Sequence, residues 1–84
     1  MNLIKPLVGK TPLIQISPQL YAKLETYNPS GSVKDRMIYF VVERAKLFGR
    51  INKETVLCEA TSGSTGIALA MISANLGNQC VIFM

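Results

Sequence analysis

Residues 54–84 read as strand, turn, helix and strand: ETVLCEA (54–60), TSGSTG (61–66), IALAMISANL (67–76) closed by Gly77, and QCVIFM (79–84). The two strands carry apolar runs rather than an alternating pattern, as strands covered on both faces do. A strand–helix–strand segment of this length closes as a parallel βαβ unit. The expected class is therefore α/β. A parallel strand also needs neighbours and covering helices, yet the sequence ends at Met84, directly after one. Part of a larger, two-domain protein is the expectation, and an 84-residue chain on its own buries only about 60–65% of its unfolded surface.

The first half is more broken. Pro6, Gly9, Pro12 and Pro18 punctuate residues 1–19. LYAKLET (20–26) alternates Leu20, Ala22 and Leu24 against Tyr21, Lys23 and Glu25, which predicts a half-buried strand running beside the βαβ unit. A turn at 27–31 follows, and Ser32 is placed as N-cap of a helix with Asp35 in the capping-box position. Met37, Val41, Ala45 and Phe48 recur at helical spacing, widened by Ile38 and Val42, and Gly49 ends the helix as its C′ residue.

Composition removes several kinds of chemistry. There is no histidine, so imidazole-based nucleophilic catalysis, metal ligation and proton shuttling are absent from this chain. Cys58 and Cys80 are too few and too far apart for a zinc site, and both are expected to be small, reduced core residues. The net charge of +4 comes from singly scattered lysines and arginines, a solvated surface rather than a nucleic-acid patch. The opening MNLIKPLVGKTPLI is neither a leader nor a membrane span, since prolines, Gly9 and two lysines interrupt it. A cytoplasmic protein without membrane or nucleic-acid partners is expected.

Two loops remain as candidate chemistry. TSGSTG joins a strand end to a helix start, where open α/β sheets bind ligands. Gly63 and Gly66 let amides turn inward, and Thr61, Ser62, Ser64 and Thr65 add hydroxyls, a set suited to a carboxylate or phosphate. The same residues also suit a plain strand-to-helix turn whose hydroxyls cap the helix. In NPSGSVKDR (28–36), Lys34 falls in the first turn of a helix, where the helix dipole disfavours a cation. An exposed lysine tolerates that position by swinging into water. A lysine used as a neutral amine would gain from it, as a nucleophile toward a carbonyl. VGKTP (8–12) contains GKT but is no phosphate loop: position 4 is Ile4 where glycine is required, and Pro12 follows in place of a helix.

VGKTPLI, KLETYNPSGSVKDR and EATSGSTGIALA, in this order and spacing, resemble the start of the cysteine synthase (O-acetylserine sulfhydrylase) and cystathionine β-synthase family of fold-type II pyridoxal-phosphate enzymes. The resemblance spans nearly the whole chain. It implies that Lys34 forms the Schiff base with pyridoxal 5′-phosphate, and that Thr61, Ser62, Ser64 and Thr65 grip the substrate α-carboxylate. The activity it implies is β-replacement at an amino acid such as O-acetylserine, with sulfide as nucleophile. The family usually has asparagine at the position of Ser64, in contact with cofactor and substrate; serine donates one hydrogen bond and reaches less far.

The resemblance further implies that residues 1–26 belong to a larger cofactor domain, that 27–84 begin a smaller mobile α/β domain, and that the complete protein is a homodimer. The family's phosphate-binding loop lies beyond position 84, so the 84-residue chain alone is expected to be inactive. Two alternatives stand beside this reading: a serine/threonine dehydratase-like lyase, and a non-catalytic homologue acting as an anion-binding or interaction module.

Overall fold

The computed structural model describes residues 3–84. Met1 and Asn2, at the head of the segment read above as free of a leader, lie outside the described residues. Strands β1 (Leu13–Ser17) and β2 (Leu20–Lys23) form an antiparallel hairpin, helix α1 (Lys34–Leu47) follows, and β3 (Leu57–Ala60), α2 (Ser64–Leu76) and β4 (Cys80–Phe83) complete the chain. β3 and β4 pair in parallel, Leu57 opposite Cys80 through Ala60 opposite Phe83, so the expected βαβ unit is present and the fold is α/β.

The strand expected over 20–26 is shorter and differently partnered. It ends at Lys23, pairs with β1 and not with the βαβ sheet, and gives way to a 3₁₀ turn over Glu25–Tyr27. Pro18 and Gln19 fall between two short apolar stretches, and that spacing lets the chain fold back on itself as a hairpin.

α2 is the centre of the molecule. One side rests on β3 and β4, the other on α1, and Ala68, Leu69 and Ile72 form the core with Ile38 and Val42 of α1. This accounts for a helix that is apolar around most of its circumference. Leu57, Cys80 and Ile82 close the core from the sheet.

The opposite sheet face, which carries Cys58, Ala60, Val81 and Phe83, is exposed, so the expectation of strands buried on both faces does not hold here. Cys58 is accordingly exposed and only Cys80 packs on the core, correcting the reading of both cysteines as interior.

The buried stripe of α1 is also rotated from the expected one. Ile38 and Val42 face α2, while Met37, Val41 and Phe48 of the predicted stripe are exposed. Both helices end in Schellman motifs, with Gly49 (φ +72°) and Gly77 (φ +81°) in the left-handed conformation and 6→1 bonds from Arg50 N–H to Ala45 C=O and Asn78 N–H to Ser73 C=O. Among the described residues no helix is long and apolar enough to cross a membrane, and no group of three or more acidic or cysteine side chains is arranged to hold a metal ion.

Candidate active site

Lys34 is the first residue of α1, and it is half-buried. The helix starts one residue later than expected: its N-cap is Val33, which supplies no side-chain cap, and the Ser32 hydroxyl instead accepts the Lys34 amide at 3.2 Å. Asp35 does not return to Ser32 either. Its carboxylate is fully buried and accepts the Ser30 amide at 2.8 Å and the Ser30 hydroxyl. The carboxylate expected to close a capping box with Ser32 thus fastens the NPSG turn to the helix.

Ser64 is the first residue of α2, so the predicted six-residue turn is shorter: Thr61–Gly63 form the bend, and Ser64, Thr65 and Gly66 already belong to the helix. Gly63 is the N-cap and no side chain caps the end, leaving the leading amides turned toward the space ahead of the helix. Thr61 hands its amide to the Phe83 carbonyl at 2.8 Å, and its hydroxyl accepts the Gly63 amide at 3.2 Å. Thr61, Ser64 and Thr65 are half-buried and Ser62 is exposed. Gly66 is required by space: a Cβ there would lie 2.8 Å from Thr61 Cγ2 and 3.3 Å from Ile82 Cγ2. The absence of a side chain brings the first turn of α2 down onto the ends of β3 and β4.

The two helices run in the same sense. Residues Tyr39, Val42, Glu43 and Lys46 of α1 share a cavity of about 190 Å³ with Ile72, Asn75 and Leu76 of α2, so the C-terminal halves lie side by side. Both N-termini therefore point to one end of the molecule, the end at which β3 finishes. Lys34, one helical turn before the buried Ile38, shares that end with Thr61–Thr65.

A polar network missed by the sequence reading borders this end. Arg36 Nε donates to Glu25 Oε1 at 2.6 Å, and Arg36 Nη2 donates to Glu25 Oε2 and to Thr11 Oγ1, each at 3.1 Å. The Thr11 hydroxyl donates to Glu25 Oε2 at 2.5 Å, and Asn28 Nδ2 to Glu25 Oε1 at 3.0 Å. The Gly9 amide donates to Asn28 Oδ1 at 2.8 Å, and Lys23 Nζ to the Thr11 carbonyl at 2.6 Å. Hydrogen bonds from Arg36 first, then Thr11, hold the Glu25 carboxyl down at about 2, and the same bond raises the Arg36 guanidinium.

Gly9 (φ +78°) and Lys10 (φ +54°) turn the chain ahead of β1, and a Cβ on Gly9 would come within 3.1 Å of Arg36 Nη1. The GKT segment is thus part of this clamp, in keeping with its rejection as a phosphate loop. Its members lie up to 27 positions apart, and only Arg36, two places past Lys34, gave any local hint.

A family model described as "Pyridoxal-phosphate dependent enzyme" matches residues 4–84. The chain is 50% identical over 86 residues to cystathionine beta-synthase of Saccharomyces cerevisiae, covering 90% of this chain and 17% of that protein. Against cysteine synthase B of Salmonella typhimurium it is 42% identical over 91 residues, covering all of this chain and 30% of that protein. A hydrogen sulfide-producing enzyme from Fusobacterium nucleatum superposes with a TM-score of 0.88 at 43% identity, over 98% of this chain and 29% of that one. The chain therefore spans less than a third of these relatives. With Lys34, the hydroxyl-bearing turn and this likeness together, the chain belongs to the family of pyridoxal-phosphate dependent enzymes, among the homologues of cysteine synthase and cystathionine beta-synthase.

Proposed function

We propose that the chain carries the cofactor-attaching lysine and the substrate-carboxylate cradle of a cysteine-synthase-like β-replacement enzyme. The observation that supports this reading is the common end of α1 and α2, with Lys34 leading one helix and Ser64 the other. The residues fit the group: a half-buried primary amine suits the aldehyde of pyridoxal phosphate, and an uncapped helix N-terminus with hydroxyls suits a carboxylate. When bound, pyridoxal phosphate supplies the electron sink that lets an amino acid lose its α-proton.

The chain's own residues do the rest. The amides leading α2, with the hydroxyls of Thr61, Ser62, Ser64 and Thr65, hold the α-carboxylate and so orient the substrate, Ser64 also facing the cofactor. Lys34 Nζ takes the proton from Cα and later returns it. For O-acetylserine and sulfide, acetate leaves with the electron pair of the Cβ–O bond, and sulfur contributes the pair of the new Cβ–S bond. By the same reading residues 1–26 belong to a larger domain and 27–84 to a smaller mobile one, the two separate two-stranded sheets being the supporting observation. The functional form would be a homodimer.

The test is to incubate the protein with pyridoxal phosphate, reduce with borohydride and map the modified peptide. Selective labelling of Lys34 among the six lysines supports the assignment. Labelling spread evenly over the lysines overturns it.

A further inference from the structure

We propose that Arg36 and Glu25 are positioning residues for the Lys34 amine, acting by fixing the rotation of α1 at its first turn. This rests on the reading of Lys34 given above. Successive residues of a helix project about 100° apart. Lys34, Asp35 and Arg36 therefore leave α1 in three directions, and two of them are fastened. Asp35 is fully buried on the Ser30 amide and hydroxyl. Arg36 is held by two nitrogens on the Glu25 carboxylate, with a third bond to Thr11, and its guanidinium abuts Gly9. With both neighbours anchored, Lys34 has one direction left. Residues four apart on a helix differ by only about 40°, so that direction is close to the one Ile38 takes into α2.

The anchor reinforces a start of α1 at which Val33 supplies no side-chain cap and the Lys34 amide is met only by the Ser32 hydroxyl at 3.2 Å. The first turn of a helix has few intrahelical partners, and here it contains the reactive amine. Glu25 is itself tied down, by Thr11 and by Asn28, whose own side chain receives the Gly9 amide. The clamp thus joins the segment before β1, the turn after β2 and the start of α1. A bidentate guanidinium–carboxylate pair transmits orientation in a way that a point charge does not.

The experiment compares wild type, Arg36→Ala, Glu25→Gln and the core control Ile72→Val, using pyridoxal phosphate as probe, borohydride trapping and peptide mapping. Circular dichroism and thermal melts run alongside. In the two clamp variants the rate at Lys34 is expected to fall about tenfold while Lys53 and Lys46 stay within about twofold of wild type. Ile72→Val lowers the melting temperature and leaves the Lys34:Lys53 ratio unchanged, which separates positioning from general loss of stability. If Arg36→Ala does not fold, the nearly isosteric Glu25→Gln decides. Unaltered Lys34 labelling in a folded clamp variant overturns the positioning role alone. An unselective wild type overturns the assignment of Lys34 first, and the positioning role with it.

Discussion

The buried carboxylate of Asp35 accepts the Ser30 amide at 2.8 Å, reaching back five residues to close the NPSG turn onto the start of α1. Removing it leaves the Ser30 amide without its acceptor inside the protein. Asp35→Ala is expected to cost about 1–3 kcal/mol of stability. Denaturant unfolding checks this, and a loss under half a kcal/mol, on the order of a surface substitution, would show that the turn holds without the carboxylate.

Gly66 sits where a methyl group has no room, its missing Cβ 2.8 Å from Thr61 Cγ2. Gly66→Ala must push α2 away from the strand ends or displace Thr61, an overpacking penalty of about 1–3 kcal/mol. Because Thr61 is a member of the proposed carboxylate cradle, amino-acid affinity should fall together with the melting temperature. Unchanged values of both would mean that the first turn of α2 moves freely.

The Glu25 carboxyl, held at about 2 against an ordinary 4.5, gives a pH signature. Its folded value is depressed, so its contribution is fully present above pH 4.5 and is lost as the pH falls through about 2. The melting-temperature gap between wild type and Glu25→Gln is therefore expected to be widest near neutrality and to close on acidification across that window. A gap independent of pH would place the effect of the substitution elsewhere than in the ionised pair.

Ser64 offers one hydroxyl at the head of α2, and asparagine would offer a longer arm with both donor and acceptor. In the complete protein, Ser64→Asn is expected to tighten amino-acid binding by about 1 kcal/mol, roughly fivefold. Titrating the protein loaded with pyridoxal phosphate and following its visible absorption measures this. Equal or weaker binding would show that serine is matched to a different amino acid.

In the complete protein, Lys34→Ala should abolish the visible band of protein-bound pyridoxal phosphate while the core of Ile38, Val42, Ala68, Leu69 and Ile72 keeps the fold. A retained band with normal turnover would assign the attachment to another lysine.

Local chemistry in the sequence was enough to specify several parts of this molecule. Gly49 and Gly77 end the two helices because the left-handed conformation of their C′ positions is open to glycine, and that requirement is visible one residue at a time. The parallel βαβ unit was legible from apolar runs set on either side of a helix former. Lys34 and the TSGSTG turn stood out because both occupy strand-to-helix or turn-to-helix junctions, and their motifs matched a family as a linear string.

What the string could not carry was anything settled by partners far along the chain. The 20–26 segment alternates as a strand whichever neighbour it has, and only the folded chain paired it with β1. Met37 and Val41 fit a helical stripe as well as Ile38 and Val42 do, and the rotation of α1 was chosen by contact with α2 and by the anchors at Asp35 and Arg36. Asp35 could equally have capped Ser32. Cys58 is as apolar as Cys80, but the two differ in which sheet face they occupy. Hydrophobic pattern and turn chemistry are local, so sequence determined the elements and their ends. The direction in which each element turns its side chains, and hence the shared end of Lys34 and Ser64, depends on long-range packing and charge pairing, which exist only once the chain has closed on itself.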